Sequence, residues 1–277
     1  MKDIIASRQN PTVKRICGLT EKKNRRAEGL FRFDGIKLLR EAAEAGLSIA
    51  YAVVRVPVNP AVEAELDRLT EKGVLDESVL LPVTEAVFDK MTEEKSPEGV
   101  LIVARMPKDL HADLPPEELD RASLTGERLL ILESLRDPGN LGTVIRSAEA
   151  LGLDRLILTD DCADLYHPRT VRGAMGALFR LPVLTVKREA LPAYIRALRA
   201  SGRRLYATAL HTDAQVIGSF ALRAGDGFVI GNEGHGLSHD VIEACDGAAV
   251  IPMREGAESL NAAAAAAICI WETARAK

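Results

Sequence analysis

The segment from Glu133 to Arg146 combines a proline- and glycine-containing turn with an asparagine and an arginine, in an order that suits anion binding. An apolar stripe at helical spacing begins at Leu141, so we predict a helix with Asn140 as its N-cap and Arg146 on its polar flank. A guanidinium near the free N–H groups at a helix N-terminus can hold a phosphodiester. A capped helix with a surface arginine gives the same pattern, so both interpretations stay open for this segment.

Two further segments in the second half of the chain also place polar side chains among glycines. In residues 167–182, small residues allow close backbone approach and Arg172 offers a phosphate contact, although close helix packing explains the glycines equally well. Further along, Glu233 follows an apolar run, where a carboxylate needs a partner such as a ribose hydroxyl, an amine or a cation. Ser259 and Asn261 precede an alanine-rich helix, and plain N-capping explains both of them as well.

The spacing of reactive residues argues against several classes of enzyme. The order Gly-Asn-Glu-Gly-His-Gly matches neither the dinucleotide-binding fingerprint nor the Walker A loop, which argues against NAD binding and nucleotide hydrolysis. There is no G-x-S-x-G sequence, and no cysteine has a histidine near it in the sequence, so hydrolase chemistry is disfavoured. The cysteines lie far apart and the histidines lack ligand spacing. We therefore predict no metal site.

Basic charge is concentrated at the start of the chain. The formal net charge of the 277 residues is −4, but residues 1–40 carry +7 and the remaining residues carry −11. Lysines and arginines clustered in this way neutralise several phosphates of a nucleic acid if they share one face. A solvated basic helix explains the same run of charges, so the run alone does not decide between the two.

The pattern of apolar runs predicts an α/β protein with two domains. Residues 1–106 alternate short strands and helices and form the first domain, residues 107–127 are a polar linker, and residues 128–277 form the second domain. In the second domain, short apolar runs predict strands at 128–132, 156–158, 182–186, 205–210, 228–230 and 248–253. Helical stretches between these runs predict a mostly parallel sheet covered on both faces, with ligands at the carboxyl ends of its strands.

The composition, with 47% apolar and 27% charged residues, is that of a globular protein. No apolar run reaches the roughly 20 residues that cross a bilayer, and the first residues are polar. We therefore predict a cytoplasmic protein with no membrane partner.

Together and in this order, the three segments closely resemble the motifs of the SpoU/TrmH branch of the SPOUT RNA methyltransferases. The first motif is similar to Asp137-Pro-x-Asn140-x-Gly142-x-x-x-Arg146, and the second is similar to Arg172-x-x-x-Gly176-Ala177. The third is similar to Gly231-Asn-Glu233-x-x-Gly236, followed by Ile251-Pro-Met253 and Ser259-Leu-Asn261. The resemblance covers residues 128–277, and residues 4–106 resemble the N-terminal substrate-binding domain of the family, an α/β/α sandwich.

The resemblance implies an S-adenosylmethionine-dependent enzyme that methylates a ribose 2′-hydroxyl of structured RNA, with ribosomal RNA favoured over transfer RNA. It also implies a homodimer formed through the C-terminal domain and a trefoil knot within that domain. The resemblance assigns catalysis to Asn140, Arg146, Glu233, Ser259 and Asn261. It assigns cofactor binding to Thr208, Ala209, Leu210, Gly231, Asn232, Glu233, Gly236, Ile251, Met253, Ser259 and Leu260. RNA binding is assigned to Lys14, Arg15, Lys22, Lys23, Arg25, Arg26 and Arg172.

One departure from the family pattern is Ala174, where many relatives carry serine, so any role of that hydroxyl is absent here or is supplied by another group. Two alternatives keep the same fold: an RNA-binding assembly factor without catalysis, and a methyltransferase that acts on an RNA base. The intact motif residues argue against the first alternative. The asparagine and arginine of the first motif favour ribose over base, and the basic N-terminal segment argues against a small-molecule substrate.

Overall fold

The computed structural model describes residues 3–115, 124, 126–209, 213–254, 256 and 259–276, and the chain divides into two compact units. Unit 1 comprises Met1–Pro107 together with Tyr166–Phe179, and unit 2 comprises Lys108–Leu165 together with Arg180–Lys277. The segment 166–179, which carries the second motif, therefore groups with unit 1. Within the described residues, no helix is both long and apolar enough to cross a membrane.

Unit 1 is built on a four-stranded mixed sheet. Its strands are β1 (Leu30–Asp34), β2 (Ile49–Val56), β3 (Leu80–Thr84) and β4 (Val100–Arg105), in the spatial order β1-β4-β2-β3. Only β2 and β3 pair in parallel; the β1–β4 and β2–β4 pairs are antiparallel. The helices of this unit are α1 (Pro11–Gly18), α2 (Lys22–Glu28), α3 (Ile36–Glu44), α4 (Pro60–Glu71), α5 (Glu85–Met91) and α7 (Pro168–Ala174).

The basic N-terminal segment folds into α1 and α2 because each helix has a clear start or stop signal. The Asn10 side chain accepts the Thr12 N–H at 2.8 Å, and Pro11 occupies the first turn of α1. Gly29 ends α2 in the left-handed conformation, with φ of 64°. The apolar side of α1 joins α5 and the sheet in one buried cluster, so the charged side chains of α1 are left at the surface.

Unit 2 is built on an eight-stranded sheet in which every neighbouring pair is parallel. Its strands are β5 (His111–Leu114), β6 (Leu129–Leu132), β7 (Arg155–Thr159), β8 (Val183–Val186), β9 (Leu205–Thr208), β10 (Gln215–Val216), β11 (Gly227–Ile230) and β12 (Gly247–Val250). The spatial order is β10-β12-β9-β11-β6-β7-β8-β5. The helices of this unit are α6 (Pro138–Ala150), α8 (Leu191–Ala200), α9 (His239–Ala244) and α10 (Ala262–Arg275). The trefoil knot stays a prediction.

The strand order places the loops of the first and third motifs side by side. Strands β6 and β11 are neighbours although almost a hundred residues separate them, and the Glu133 N–H continues their pairing by donating to the Ile230 carbonyl at 2.8 Å. The chain runs from β6 outward to β8 and then returns to the other side of β6. In open parallel sheets, a reversal of this kind leaves a crevice at the carboxyl ends of the strands, here called the carboxyl edge, and ligands bind in that crevice.

All six strands expected in the second half of the sequence are present, and the α/β class is confirmed. Strands β9 and β12 end earlier than expected, at Thr208 and Val250. No apolar run predicted β5 or β10. Strand β5 lies within 107–127, the segment predicted as a linker; it forms the sheet edge beside β8, and its two middle residues are exposed, so no apolar run marks it.

The predicted N-cap of α6 is wrong. The cap is Asp137, whose side chain accepts the Asn140 N–H at 2.8 Å, and Pro138 begins the helix. Asn140 therefore lies inside the first turn, and its side-chain amide is not used for capping. The expected apolar stripe is present, and Arg146 is exposed away from it, as predicted.

The buried Glu65 carboxylate in α4 gives a test of how unit 1 is held together. It is 5% exposed and accepts hydrogen bonds from Arg40 on α3 and Arg68 on α4, which lower its pKa to about 2 from a usual 4.5. We expect Glu65→Gln to lower the free energy of unfolding by about 1–2 kcal/mol at pH 7. Because the folded-state pKa is depressed, this stabilisation is present above pH 4.5 and is lost as the pH falls toward 2.

Urea unfolding at pH 7, 4 and 3, followed by circular dichroism, measures the effect. The matched control is Glu63→Gln, the same change at an exposed position of the same helix. Equal effects of the two substitutions at pH 7, or a Glu65→Gln effect that does not shrink at acid pH, contradict this account.

Candidate functional site

Three of the predicted catalytic side chains are joined by hydrogen bonds at the carboxyl edge of the unit 2 sheet. Asn140 lies in the first turn of α6, Glu233 lies in the loop after β11, and Asn261 caps α10. Asn140 Nδ2 donates to Glu233 Oε1 at 3.1 Å, and Asn261 Nδ2 donates to Asn140 Oδ1 at 3.0 Å. These three residues, here called the amide network, form one polar surface from three segments that are remote in sequence.

The Glu233 carboxylate is held in its ionised form by the donors around it. Partial burial raises its pKa, but hydrogen bonds from Asn140 Nδ2 and from the backbone N–H groups of Arg136 and Asp137 outweigh burial and leave the pKa below its usual value. The two backbone donors lie 3.3 and 3.4 Å from the carboxylate oxygens. An ionised carboxylate with a lowered pKa accepts hydrogen bonds and is a weak base, which suits it to positioning a hydroxyl.

The loop that carries Glu233 is closed on itself by Asn232. The Asn232 Oδ1 accepts the N–H groups of Gly234 and His235 at 2.8 and 3.2 Å, and its backbone exchanges two hydrogen bonds with Gly236. Its Nδ2 donates to the Ser134 carbonyl at 2.8 Å, which ties the loop to the first motif. Asn232 and Gly236 therefore use these groups to shape the loop, although the resemblance assigned them to cofactor binding.

Gly231 fits where it is because the chain doubles back against it. A Cβ atom at this position would lie 2.3 Å from the Gly236 carbonyl carbon and 2.4 Å from the Leu237 nitrogen. These are backbone atoms, which cannot move aside as a flexible side chain can. The third motif requires glycine here for packing, and the backbone conformation of Gly231 adds no such requirement.

Two residues that directly follow β6 support the site and had no assigned role. Glu133 is 2% exposed, and its carboxylate accepts the Ser238 hydroxyl at 2.6 Å and the Ser238 N–H at 2.8 Å. Ser134 adopts a left-handed φ of 56°, and its N–H donates to Thr159 Oγ1 at 2.8 Å. The signal available in the sequence was a polar pair immediately after a fully apolar strand.

The other two predicted catalytic residues stand apart from the amide network. Arg146 and Ser259 are both exposed, and within the described part of the chain neither side chain makes a hydrogen bond or an ion pair. Arg146 lies in α6, the helix that also carries Asn140, and follows Asn140 by fewer than two helical turns. It is therefore available to an external anion.

The predicted cofactor residues follow neighbouring strands of the sheet. Thr208 ends β9 and Ala209 follows it, Gly231 follows β11, and Ile251 and Met253 follow β12. Because β12, β9 and β11 are adjacent and parallel, these segments meet at the same edge. Ile251 and Met253 are half-buried in a segment outside helices and strands, and Leu260 is 40% exposed. Leu210 lies outside the described residues.

The predicted RNA contacts separate into an exposed set and one buried residue. The exposed basic side chains on α1 and α2 are Lys14, Arg15, Lys22, Lys23 and Arg26. Arg25 is 2% exposed, and its guanidinium donates to the carbonyls of Leu19 and Thr20, so contrary to the prediction this side chain is not presented to RNA. Arg172 is exposed and pairs with Glu94 at 2.5 Å.

No metal cluster is found in the described ranges: no group of three or more His, Cys, Asp or Glu side chains there has the arrangement of a metal site. The chemistry that the described site supports is recognition of hydroxyl groups and anions, since its side chains are amides, a carboxylate and a guanidinium.

Family comparisons match both halves of the chain. The model of the SpoU rRNA Methylase family matches residues 127–271, more than half of the chain, and the MRM3-like substrate binding domain matches residues 10–102. The sequence is 34% identical over 272 residues to the 23S rRNA (guanosine(2553)-2'-O)-methyltransferase RlmP of Bacillus subtilis, covering 96% of this chain and 97% of that protein.

Solved structures give the same relationship. An rRNA methyltransferase from Sinorhizobium meliloti is similar with a TM-score of 0.81 and 30% identity, covering 99% of this chain and 97% of that one. The SpoU methyltransferase AviRb from Streptomyces viridochromogenes, in complex with the cofactor AdoMet, is similar with a TM-score of 0.80 and 29% identity, covering 96% and 98%.

The close approach at Gly231 predicts that Gly231→Ala disrupts the loop that carries Glu233. We expect the free energy of unfolding of unit 2 to fall by about 3 kcal/mol or more, because the new methyl group overlaps backbone atoms. The control is Gly234→Ala, where the nearest atom to a new Cβ lies at 3.5 Å, and we expect a change below about 1 kcal/mol. Denaturant unfolding of both variants checks this, and equal stabilities contradict it.

Proposed function

Because the chain belongs to the SpoU rRNA methylase family, we propose that it transfers a methyl group from S-adenosylmethionine to a ribose 2′-hydroxyl of ribosomal RNA. The observation that carries this proposal is the amide network, which joins residues of the first and third motifs beside the segments assigned to the cofactor. A surface of amides and one carboxylate is suited to hold a ribose by its hydroxyl groups.

The residues at the ends of β9, β11 and β12 fit the cofactor. The half-buried side chains of Ile251 and Met253 offer an apolar surface for the adenine ring, and the main-chain groups around Ala209 and Gly231 offer hydrogen bonds at its edge. Leu260 adds a partly exposed apolar side chain next to the helix cap. S-adenosylmethionine, when bound, supplies an electrophilic methyl group that needs no metal for activation.

The amide network positions the ribose. The Asn140 amide is fixed because its nitrogen faces Glu233 and its oxygen faces Asn261. The ionised carboxylate keeps lone pairs that accept a hydrogen bond from a ribose hydroxyl, which aligns the reacting oxygen with the methyl group. Alignment of this kind supplies a large part of the rate enhancement when the electrophile is already reactive.

Arg146 stabilises negative charge. A guanidinium offers five N–H donors and no acceptor, so we assign Arg146 an electrostatic role and not the role of a base. From the exposed flank of α6 it contacts the phosphate next to the target nucleotide and stabilises the developing charge on the 2′-oxygen as the hydroxyl proton passes to a solvent water molecule.

We further propose ribosomal RNA in place of transfer RNA as the substrate, and the cytoplasm as the place of action. The exposed basic side chains of α1 and α2 support RNA contact by unit 1, the unit that contains the match to a substrate-binding domain. The description of the matched family, which names rRNA, supports the substrate.

We also propose a homodimer formed through unit 2. On the outer side of α10, Trp271 is 52% exposed and Ile268, one turn earlier, is 36% exposed. A tryptophan and an isoleucine on one exposed helix face form an apolar patch of the kind that subunit interfaces cover.

Methyl transfer to RNA tests the proposed function. With tritiated S-adenosylmethionine and an unmodified transcript of 23S rRNA, we expect the wild type to place label in alkali-resistant dinucleotides, since a 2′-O-methyl group blocks alkaline cleavage. Arg146→Ala is expected to lower the rate at least about 100-fold while the cofactor Kd, measured by calorimetry, stays within about twofold.

The control is Arg128→Ala. Arg128 is partly exposed, pairs with Asp154 and lies directly before β6, at the amino ends of the strands, so we expect this variant to retain the wild-type rate. Label in alkali-labile mononucleotides would show base methylation. RNA binding without cofactor binding or transfer would show a non-catalytic factor. Loss of cofactor affinity in Arg146→Ala would refute the role given to that residue.

The dimer proposal predicts that Trp271→Asp produces monomers. A buried carboxylate without a partner is costly at an apolar interface, so we expect the dimer Kd to rise at least about 100-fold. Val74→Asp is the control, because Val74 is 45% exposed in unit 1. Light scattering after size exclusion at micromolar concentration measures the mass, and a monomeric wild type contradicts the proposal.

A further inference from the structure

A cavity of about 360 Å³ opens on the other side of the Glu233 loop from the segments assigned to the cofactor. It is lined by residues that follow β6, β8 and β11, all at the carboxyl ends of the strands of unit 2, among them Glu133, Arg136, Arg188, Asn232, His235 and Ser238. We call it the β8-side cavity. The cofactor segments follow β9, β11 and β12, so the two sites share only the β11 loop.

The mouth of the β8-side cavity is basic. The side chains of Arg136 and Arg188 are 59% and 53% exposed, and His235 is exposed as well. Two carboxylates lie behind them, with Glu133 and Asp161 side chains 3% and 22% exposed. A ligand that enters from solvent therefore meets the guanidinium groups before it meets the carboxylates.

The two carboxylates are largely occupied by other donors. Glu133 accepts both the hydroxyl and the N–H of Ser238. Asp161 accepts the hydroxyls of Ser134 and Thr159 and one Arg136 nitrogen, at 2.7, 2.6 and 2.9 Å. These bonds hold the acidic groups in place. The two carboxylates offset the formal charge of the two arginines, so an anion is recognised here through free N–H donors and not through a net positive charge.

Arg188 has unused hydrogen-bonding capacity. Its guanidinium approaches Glu133 and Asp161 at 3.6 and 3.8 Å, distances that exceed a hydrogen bond. Within the described part of the chain, none of its five N–H donors makes a side-chain hydrogen bond. A half-exposed guanidinium with free donors, next to a second one in a concave site, is an arrangement suited to an anion with several oxygens.

The cavity adjoins the reaction site through Arg136. The Arg136 N–H donates to the Glu233 carboxylate, while its side chain lines the cavity. Asn232 and His235, on either side of Glu233 in the loop, also line it. A nucleic-acid strand whose ribose lies at the amide network therefore has its neighbouring nucleotide at the mouth of this cavity.

We propose that the β8-side cavity binds a nucleotide adjacent to the target nucleotide, with its backbone phosphate on Arg136 and Arg188. The volume admits one nucleotide and excludes a duplex, so the strand is single-stranded here, as RNA loops and bulges are. This inference rests on the proposed RNA methyltransferase activity and adds a second phosphate contact to the one assigned to Arg146.

The salt dependence of RNA binding tests this proposal, because each phosphate contact to single-stranded RNA adds about 0.7 to the slope of log K against log salt. Filter binding of an unmodified 23S rRNA transcript is measured between 50 and 300 mM KCl, roughly spanning physiological salt. We expect Arg188→Ala to reduce the slope by about 0.7 and to raise the RNA Kd about 5- to 10-fold, with the cofactor Kd unchanged.

Two variants make the result specific. Arg188→Lys keeps the positive charge and is expected to keep the wild-type slope, which separates phosphate contact from a folding defect. Arg128→Ala removes an arginine whose side chain is 43% exposed and which lies at the amino ends of the strands, away from the cavity, and it is expected to leave slope and Kd unchanged. Because both arginines contact one phosphate in this proposal, the Arg136→Ala/Arg188→Ala double variant is expected to lower the slope by no more than about 0.7, and a doubled slope change contradicts the shared phosphate.

The outcomes distinguish this inference from the proposed function. An active wild type in which Arg188→Ala behaves like Arg128→Ala overturns the inference and leaves the reaction intact. A reduced cofactor affinity in Arg188→Ala also overturns it, because the cavity then serves the cofactor. If the wild type transfers no methyl group but Arg188→Ala still reduces the salt slope, the proposed reaction is refuted and the proposed RNA site is supported.

Discussion

The side-chain amide of Asn140 is held at both ends, and the site depends on this constraint. An amide offers donors at its nitrogen and an acceptor at its oxygen, so a carboxylate on one side and a second asparagine on the other fix its orientation. Each such hydrogen bond contributes only about 1 kcal/mol net, which cannot bring three distant segments together. The sheet must therefore place α6, the β11 loop and the start of α10 beforehand, and the hydrogen bonds then select one arrangement.

The parallel sheet does this through its strand order. Because β6 and β11 are neighbours, the loops after them emerge side by side. The absence of a side chain at Gly231 lets the loop after β11 fold back against the backbone of Gly236 and Leu237. The polar residues Glu133 and Ser134 anchor these loops to each other and to β7. The β11 loop then divides the carboxyl edge into a half that faces β9 and β12, where we place the cofactor, and a half that faces β7 and β8, where we place the RNA strand.

Much of the fold of unit 2 could be predicted from the sequence, because buried parallel strands are continuous apolar runs. The family and the reaction class followed from three ordered motifs, and both predictions are confirmed. Other features depended on contacts that spacing does not encode. Asp137 and Asn140 are both good capping residues, and only the structure shows that the first one caps α6. Arg25 belongs to a basic run, but the carbonyls of the turn before α2 bury its guanidinium. Strand β5 is short and half-exposed at an edge, so its signal is lost in polar sequence.

The central claim is that the amide network acts as one positioning unit. A double-mutant cycle with Asn140→Ala and Asn261→Ala tests it most directly, with the single-turnover rate of methyl transfer to RNA as the readout. The account predicts strong non-additivity: each single substitution releases the Asn140 amide or removes it, so the double variant is no slower than about the slower single variant. Rate losses that multiply in the double variant would mean that the two residues act independently, which would contradict the account.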